Sequence, residues 1–594
     1  MHKSNEPETH AESKVDADRR ILREAQQRGT GATLGAYVRL SGPGWLQSAI
    51  TLGGGSLAGA LFLGALGGVS MLWLQLVAIA LGVIMLSAIA FVTLSTGQRP
   101  FSAINQHINP ALGWGWLIAT SLANMIWCMP QFSLCYAAIE SNFLPGDMSA
   151  ATQFNAKLAV SGALLAVVAC VVAMNARRGV AAKIFDILLK CLVGMIVICF
   201  FAVVVVLAAN GKIDWAGIAA GFIPNPSQWT NPSAGMAELL SGLSSDAREF
   251  WTDRVVRQQR SQMIAAAATA VGINMTFLMP YSMLHRGWDK TFRGLARFDL
   301  MTGMAIPYVL VTSCVVIASA NAFHAQADPA FLSADAAEFQ TSPTFGNTKD
   351  TLLARVKPEL KGEKFDAAVK DMPEAEREAL VAAMAALPEN EKLIAASMVQ
   401  RNAAALAKSL EPAIGKDFSP IVFGIGVFGM GFSTIIILML INGFVFCEAS
   451  GKPESGGMYA LGCGVAGVVG ASWPFIWSGD SQFWFTIIAS TFGAMLLPVA
   501  YITFFMMMNS KSLMGAEKPR GASMIIWNVL MVIAVAGACI NAASAIYDKA
   551  TDTTSARTEM AGYVVIGIVA VYLVIVALGF VLKRRGLAEP GKAA

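Results

Sequence analysis

Long apolar runs alternate with short polar joints along almost the whole chain. A helix that crosses a lipid bilayer needs about 20 consecutive, mostly apolar residues. Runs of that kind lie near 45–66, 70–95, 113–140, 155–174, 181–208 and 261–285. A second set lies near 295–323, 418–447, 456–477, 482–508, 522–547 and 560–582. About twelve transmembrane helices are therefore predicted, in an all-α polytopic membrane protein. Around them the chain divides into a polar tail over 1–40, helices 1–7 within 41–324, a soluble insert over 325–417, helices 8–12 within 418–582, and a short tail over 583–594.

The polar joints predict an orientation. On the side of the N-terminus they carry Arg99, then Arg177, Arg178 and Lys183, then Arg286, Lys290, Arg293 and Arg297. Lys452, then Lys511, Lys518 and Arg520, and finally Lys583, Arg584 and Arg585 continue the series. The opposite short joints hold only Lys157, Lys549 and Arg557. Positive charge stays on the cytoplasmic side, so both tails are expected there, in a plasma (inner) membrane. The first forty residues lack the apolar core of a signal peptide, which agrees with a cytoplasmic tail. One long joint, 209–260, mixes Arg248, Arg254, Arg257 and Arg260 with Asp246, Glu249 and Asp253, and predicts a surface amphipathic helix. Within the insert, Pro373–Leu387 and Asn390–Leu410 are rich in Ala, Glu and Lys, good helix formers in water, and predict an extracytoplasmic helical cap.

Composition narrows the function classes. Of 594 residues, 55% are hydrophobic and only 14% charged, against about 25% charged in soluble domains. A net charge of +4 is too small for nucleic-acid binding, which leaves lipid and a small ion or solute as partners. All nine cysteines fall in apolar runs, which argues against a disulfide framework and a paired-cysteine zinc site. No nucleophile–base set, P-loop or dinucleotide motif is present, so neither an enzyme nor a bound cofactor is expected.

Two spans are interrupted. Gly53-Gly54-Gly55-Ser56 sits near the middle of the first, and each glycine there costs a helix about 1 kcal/mol relative to Ala. Met279-Pro280-Tyr281-Ser282 sits in the sixth, where the proline removes a helical hydrogen bond. Either alone reads as a packing face or a kink. As a pair in spans one and six, they take the equivalent places of two inverted five-helix repeats. Broken backbone at that depth survives only around a cavity, where its carbonyls and amides can hold an ion or small polar solute.

These residues also carry a resemblance. The sequence resembles the natural resistance-associated macrophage protein (NRAMP) family of divalent-metal transporters, of the LeuT fold. Gly42-Pro43-Gly44 is similar to the family's GPG. Counting on without gaps, the family's DPGN falls on Gly53-Gly54-Gly55-Ser56, and its MPHN on Met279-Pro280-Tyr281-Ser282. Gly431-Phe432-Ser433-Thr434-Ile435, Leu497-Pro498 and Leu513-Met514-Gly515 follow in family order.

The resemblance implies a divalent-cation site using Ser56, Met279 and the Thr276 carbonyl, with Gly53, Gly54, Gly55, Pro280, Tyr281, Ser282, Asn124 and Gln131 around it. It also implies a loss. The family's metal-binding Asp and Asn fall on Gly53 and Ser56, the proton-handling His falls on Tyr281, and a helix-three Asp and Glu fall on Cys128 and Gln131. Neutral oxygens from Ser56, Ser282, Asn124, Gln131, Asn274 and the backbone remain. Manganese, iron or magnesium is the expected cargo, with the usual carboxylate and proton relay replaced. A small, amino-acid-like organic solute and a non-transporting sensor are the alternatives. Asp186 and Lys190, four residues apart, are expected to pair with each other.

Overall fold

The computed structural model describes residues 14–584, apart from 145–148, 176–179, 361–362, 400, 402–404, 409–410, 412–414, 417, 453–455, 478–481 and 552–555. Residues 1–13 and 585–594 of the two tails, Arg177 and Arg178 lie outside the described residues.

Every expected apolar run is helical. In chain order the helices are α1 (Pro43–Thr51), α2 (Gly54–Gly67), α3 (Trp73–Thr96), α4 (Pro110–Phe143), α5 (Ala150–Asn175), α6 (Val180–Ala209), α7 (Ser245–Ala270) and α8 (Ile273–His285). Then come α9 (Ile306–Phe323), α10 (Phe418–Ser450), α11 (Gly457–Ala471), α12 (Gln482–Asn509), α13 (Gly521–Ala550) and α14 (Ala556–Arg584). Eleven segments among the described residues are long and apolar enough to cross a membrane. The twelfth run, α11, has 15 helical residues, and a further turn over Trp473–Ile476 lengthens it.

Two spans are made of half-helices. The first breaks between α1 and α2 at Leu52 and Gly53, the latter extended at φ −94°, ψ 179°. The sixth breaks between α7 and α8 at Val271 (φ −144°, ψ 108°) and Gly272 (φ −86°, ψ 167°). Each break is an apolar residue followed by a glycine.

The second break is not at Met279–Ser282, where the sequence places it. Pro280 lies inside α8 and merely lacks the hydrogen bond to the Thr276 carbonyl. At Gly272 a Cβ would fall 2.6 Å from the Asn274 Oδ1 atom, so glycine allows the tight local approach that turns the chain.

The joint at 209–260 also differs from expectation. Residues 245–260 are no separate surface helix. They form the first turns of α7, which projects from the bundle and carries the insert. Phe331, Phe339, Leu352, Leu380 and Ile394 of the insert close a core of their own around Trp251 and Val255 of α7. Trp251 Nε1 donates to the buried Glu391 carboxylate at 2.8 Å, and Arg355 pairs with the same carboxylate at 2.5 Å.

The opposite end of the bundle, here the terminus face, is held by carboxylates. Asp186 pairs with Arg286 at 3.1 Å, while Lys190 Nζ donates to the Ser41 carbonyl at 3.4 Å, so the expected Asp186–Lys190 pair is replaced by contacts across the fold. Asp299 is fully buried and sits at the N-terminus of α1. It accepts from Gly42 N–H at 3.1 Å, Gly44 N–H at 2.6 Å and the Ser41 hydroxyl. A carboxylate there satisfies the free amides of the first turn and its positive end. A Cβ on Gly44 would come within 2.1 Å of the Asp299 carbonyl oxygen, which accounts for the GPG sequence.

Replacing Asp299 with Ala strands these buried amides, at a cost of about 1–3 kcal/mol. Thermal unfolding in detergent is expected to show a lowered midpoint for Asp299→Ala. Asp299→Asn, which keeps one acceptor oxygen, should fall between the two.

Candidate functional site

The two breaks face each other across one cavity. Gly53, Gly55 and Ser56 line it from the first break, and Thr269, Gly272, Asn274 and Met275 from the second. Trp127 and Gln131 of α4 and Thr434 and Leu438 of α10 complete the wall. Its volume is about 20 Å³, room for one water-sized body.

The glycines set this narrow width. A Cβ on Gly53 would lie 2.6 Å from Thr434 Oγ1 and 3.0 Å from the Ile50 carbonyl oxygen. On Gly54 it would meet Leu134 at 2.6 Å, and on Gly55 the Trp127 ring at 2.5 Å. The triplet is thus a close-approach surface on three sides at once.

The broken ends are satisfied by side chains. Gly54 N–H donates to Gln131 Oε1 at 3.0 Å. The Ala49 carbonyl, at the end of α1, accepts from Ser433 Oγ at 3.0 Å and Thr434 Oγ1 at 3.2 Å. Ser56 Oγ donates to the Thr51 carbonyl, and Met275 Sδ accepts from Thr51 Oγ1 at 3.5 Å. Asn274 Oδ1 accepts from the Met275 amide at 2.9 Å. The hydroxyl lone pairs of Ser56 and Thr434, the Met275 sulfur and backbone carbonyls are the groups that could hold a cation. The carbonyl ends of α1 and α7 add partial negative charge. No carboxylate or imidazole lines the wall. Among the described residues no cluster of three or more His, Cys, Asp or Glu could hold a metal.

The residues named from the sequence divide into three groups. Gly53, Gly55, Ser56 and Gln131 line the cavity, with Gly54 directly behind Gln131. Thr276 lies deeper along α8, donating to the Ile273 carbonyl and accepting from Trp116 Nε1 at 3.0 Å. Met279, Pro280, Tyr281 and Ser282 are buried further toward the terminus face and do not line the cavity. Ser282 Oγ donates to the Met279 carbonyl, and Tyr281 stacks on Phe277 at 4.4 Å. Asn124 is fully buried on α4 with no protein partner for either amide atom.

Met275, one helical turn before Met279, is the methionine that lines the cavity. Trp127, Thr269, Gly272 and Met275 escaped the sequence reading. The signal that could have found them was Gly272, a lone glycine in the sixth apolar run, followed at once by Asn274 and Met275.

Comparison with known proteins agrees with this architecture. The sequence pattern of the family described as natural resistance-associated macrophage protein-like (Nramp) matches residues 44–355 and 379–543. The chain belongs to the Nramp family. No curated protein matches the Nramp chain at a significant level. Among solved structures it is similar to a manganese transporter of Eremococcus coleocola. A single-residue mutant of that protein has TM-score 0.62 at 14% identity, covering 93% of this chain and 96% of the other. Its complex with an aromatic bis-isothiourea substituted compound has TM-score 0.62 at 15% identity, covering 94% and 97%. Such identities establish a shared fold. This Nramp chain is accordingly an all-α membrane protein with broken first and sixth spans, in a family of transporters.

A carboxylate cannot simply be placed at Gly53. Gly53→Asp alone should lower the melting midpoint, because its Cβ meets Thr434 and the Ile50 carbonyl. Combined with Thr434→Ala, the carboxylate should raise manganese affinity by about tenfold or more, close to 1.4 kcal/mol. Titration calorimetry on the double variant checks this; unchanged affinity would mean that Gly53 does not face the ion.

Proposed function

We propose that this Nramp chain carries a divalent cation, manganese, iron or magnesium, through the cavity between its two helix breaks. The observation that carries the reading is the shared cavity itself: two unwound backbones, one from each broken span, converge on one small polar space. A scaffold without cargo has no use for two such breaks. The size of the space favours an ion over an amino-acid-like solute, which is many times larger than one water molecule.

The neutral donor set shapes the mechanism. A divalent ion held only by hydroxyls, carbonyls and a thioether gains little from full dehydration, so it is expected to bind weakly and keep some of its waters. Met275 favours a softer ion, manganese or iron, over calcium. Alternating access would proceed by rocking α1 and α8 away from the terminus face. The positive charges of that face support a cytoplasmic orientation for it. With no titratable group on the cavity wall, cation movement should carry few protons.

Purified protein in liposomes tests this directly. Uptake of manganese, iron and magnesium would be followed with an internal metal dye and a pH dye. Metal entry with little acidification is expected. Ser56→Ala should reduce it, and Met275→Leu should narrow the preference for manganese over calcium. Absence of divalent flux and binding under every gradient would sink the reading.

A further inference from the structure

Beyond the cavity, toward the terminus face, α4 carries a line of buried polar side chains that the fold leaves unsatisfied. Thr120, Asn124 and Gln131 are all 0% exposed. Thr120 Oγ1, both amide atoms of Asn124 and Gln131 Nε2 have no protein hydrogen-bond partner. Their spacing puts the three on one face of the helix. Gln131 is at the cavity, and at 1.5 Å per residue Asn124 lies about 10 Å and Thr120 about 16 Å further along α4.

Neighbouring side chains show where this stretch of α4 lies. Trp116 Nε1 reaches Thr276 of α8 at 3.0 Å, and Ser121 Oγ reaches Asn442 Oδ1 of α10 at 2.8 Å. Thr120 and Asn124, close to these two residues in the helix, thus lie on the stretch of α4 that packs against α8 and α10, a seam between the cavity and the terminus face. Each unpaired buried group costs about 1–3 kcal/mol, and folded proteins keep few of them. Apolar residues would fill a permanently closed seam better.

The seam is shut at its far end by a three-part contact. Arg99, in the joint between α3 and α4, pairs with Glu448 of α10 at 2.5 Å, and the Glu448 side chain is only 7% exposed. Tyr281 of α8 hydrogen-bonds to Glu448 and accepts from the Phe101 amide at 3.3 Å. The Arg99 guanidinium stands 5.6 Å over the Tyr281 ring. Because Met275 and Tyr281 share α8, movement of that half-helix would alter the cavity wall and this closure together.

We propose that Thr120 and Asn124 form a second cation station, between the cavity and the terminus face. A partly hydrated divalent ion would reach it when the Arg99–Glu448–Tyr281 contact parts. The proposal rests on the reading of the chain as a divalent-cation carrier. At the station one hydroxyl and one amide meet the ion or its waters, in place of the partners they lack in the closed form. Neutral ligands hold the ion briefly, and Glu448, freed from Arg99, draws it outward.

Two measurements test the station. Asn124→Leu, which keeps the size and removes the polar atoms, should leave manganese binding by calorimetry within about twofold while lowering liposome uptake about tenfold or more. Unchanged uptake would overturn the station, and so would a parallel loss of binding and uptake, which would place Asn124 in the first cavity. The second measurement holds if Asn124→Leu fails to fold. Asn124→Cys should react with a cationic thiol reagent from the terminus face, faster when Arg99→Gln loosens the closure and slower with manganese present, over the background of the nine native cysteines. No reaction above background in either form would overturn it. If the unaltered chain neither binds nor carries a divalent ion, the proposed function falls, and the station with it. Failure of the variants in a chain that does carry one removes the station alone.

Discussion

Backbone that leaves the helix inside a membrane must find partners within the protein, and most of this structure follows from that requirement. Leu52–Gly53 and Val271–Gly272 each end one helix and begin another at mid-bundle. Four helix ends are thereby brought together where lipid offers nothing. Gln131, Ser433, Thr434 and Ser56 meet part of that demand. The glycine triplet lets Trp127, Leu134 and Thr434 approach closely enough to exclude lipid. What remains is a small space with carbonyl and hydroxyl lone pairs, left by how the breaks are satisfied.

Much of this was legible in the sequence, for physical reasons. Apolar runs of membrane length are a strong signal, and all twelve became helices. The glycine triplet marked the first break, because three residues without Cβ serve no other purpose so clearly. The second break was misplaced by about two to three turns. Pro280 is the more conspicuous residue, but losing one hydrogen bond does not end a helix that is packed on all sides, whereas Gly272 permits the sharp local approach. Met275, nearer this break than Met279, is the methionine on the cavity wall. Side-chain partners across the fold were out of reach: Asp186 and Lys190 have the spacing of a pair, yet Arg286 and Ser41 are nearer in space. Charges at 245–260 read as a surface helix because that part of α7 has already left the apolar layer.

No carboxylate lines the cavity, and the packing around Gly53 leaves little room for one. With Thr434 Oγ1 2.6 Å from where a Gly53 Cβ would lie, the first break has closed up where an acidic side chain would stand. The conspicuous buried carboxylates on the terminus side lie away from the cavity: Asp299 fastens the start of α1, and Glu448 joins α8 and α10 through Tyr281 and Arg99. Negative charge in this fold ties helices together at the terminus face, while neutral atoms line the cavity.

One further consequence comes from α7. It runs unbroken for 26 residues, a rod of about 39 Å. Thr269 at one end forms cavity wall, and Trp251 near the other is embedded in the core of the insert. Such a rod is a lever: a tilt of the insert by a few degrees becomes a displacement of ångströms at the cavity.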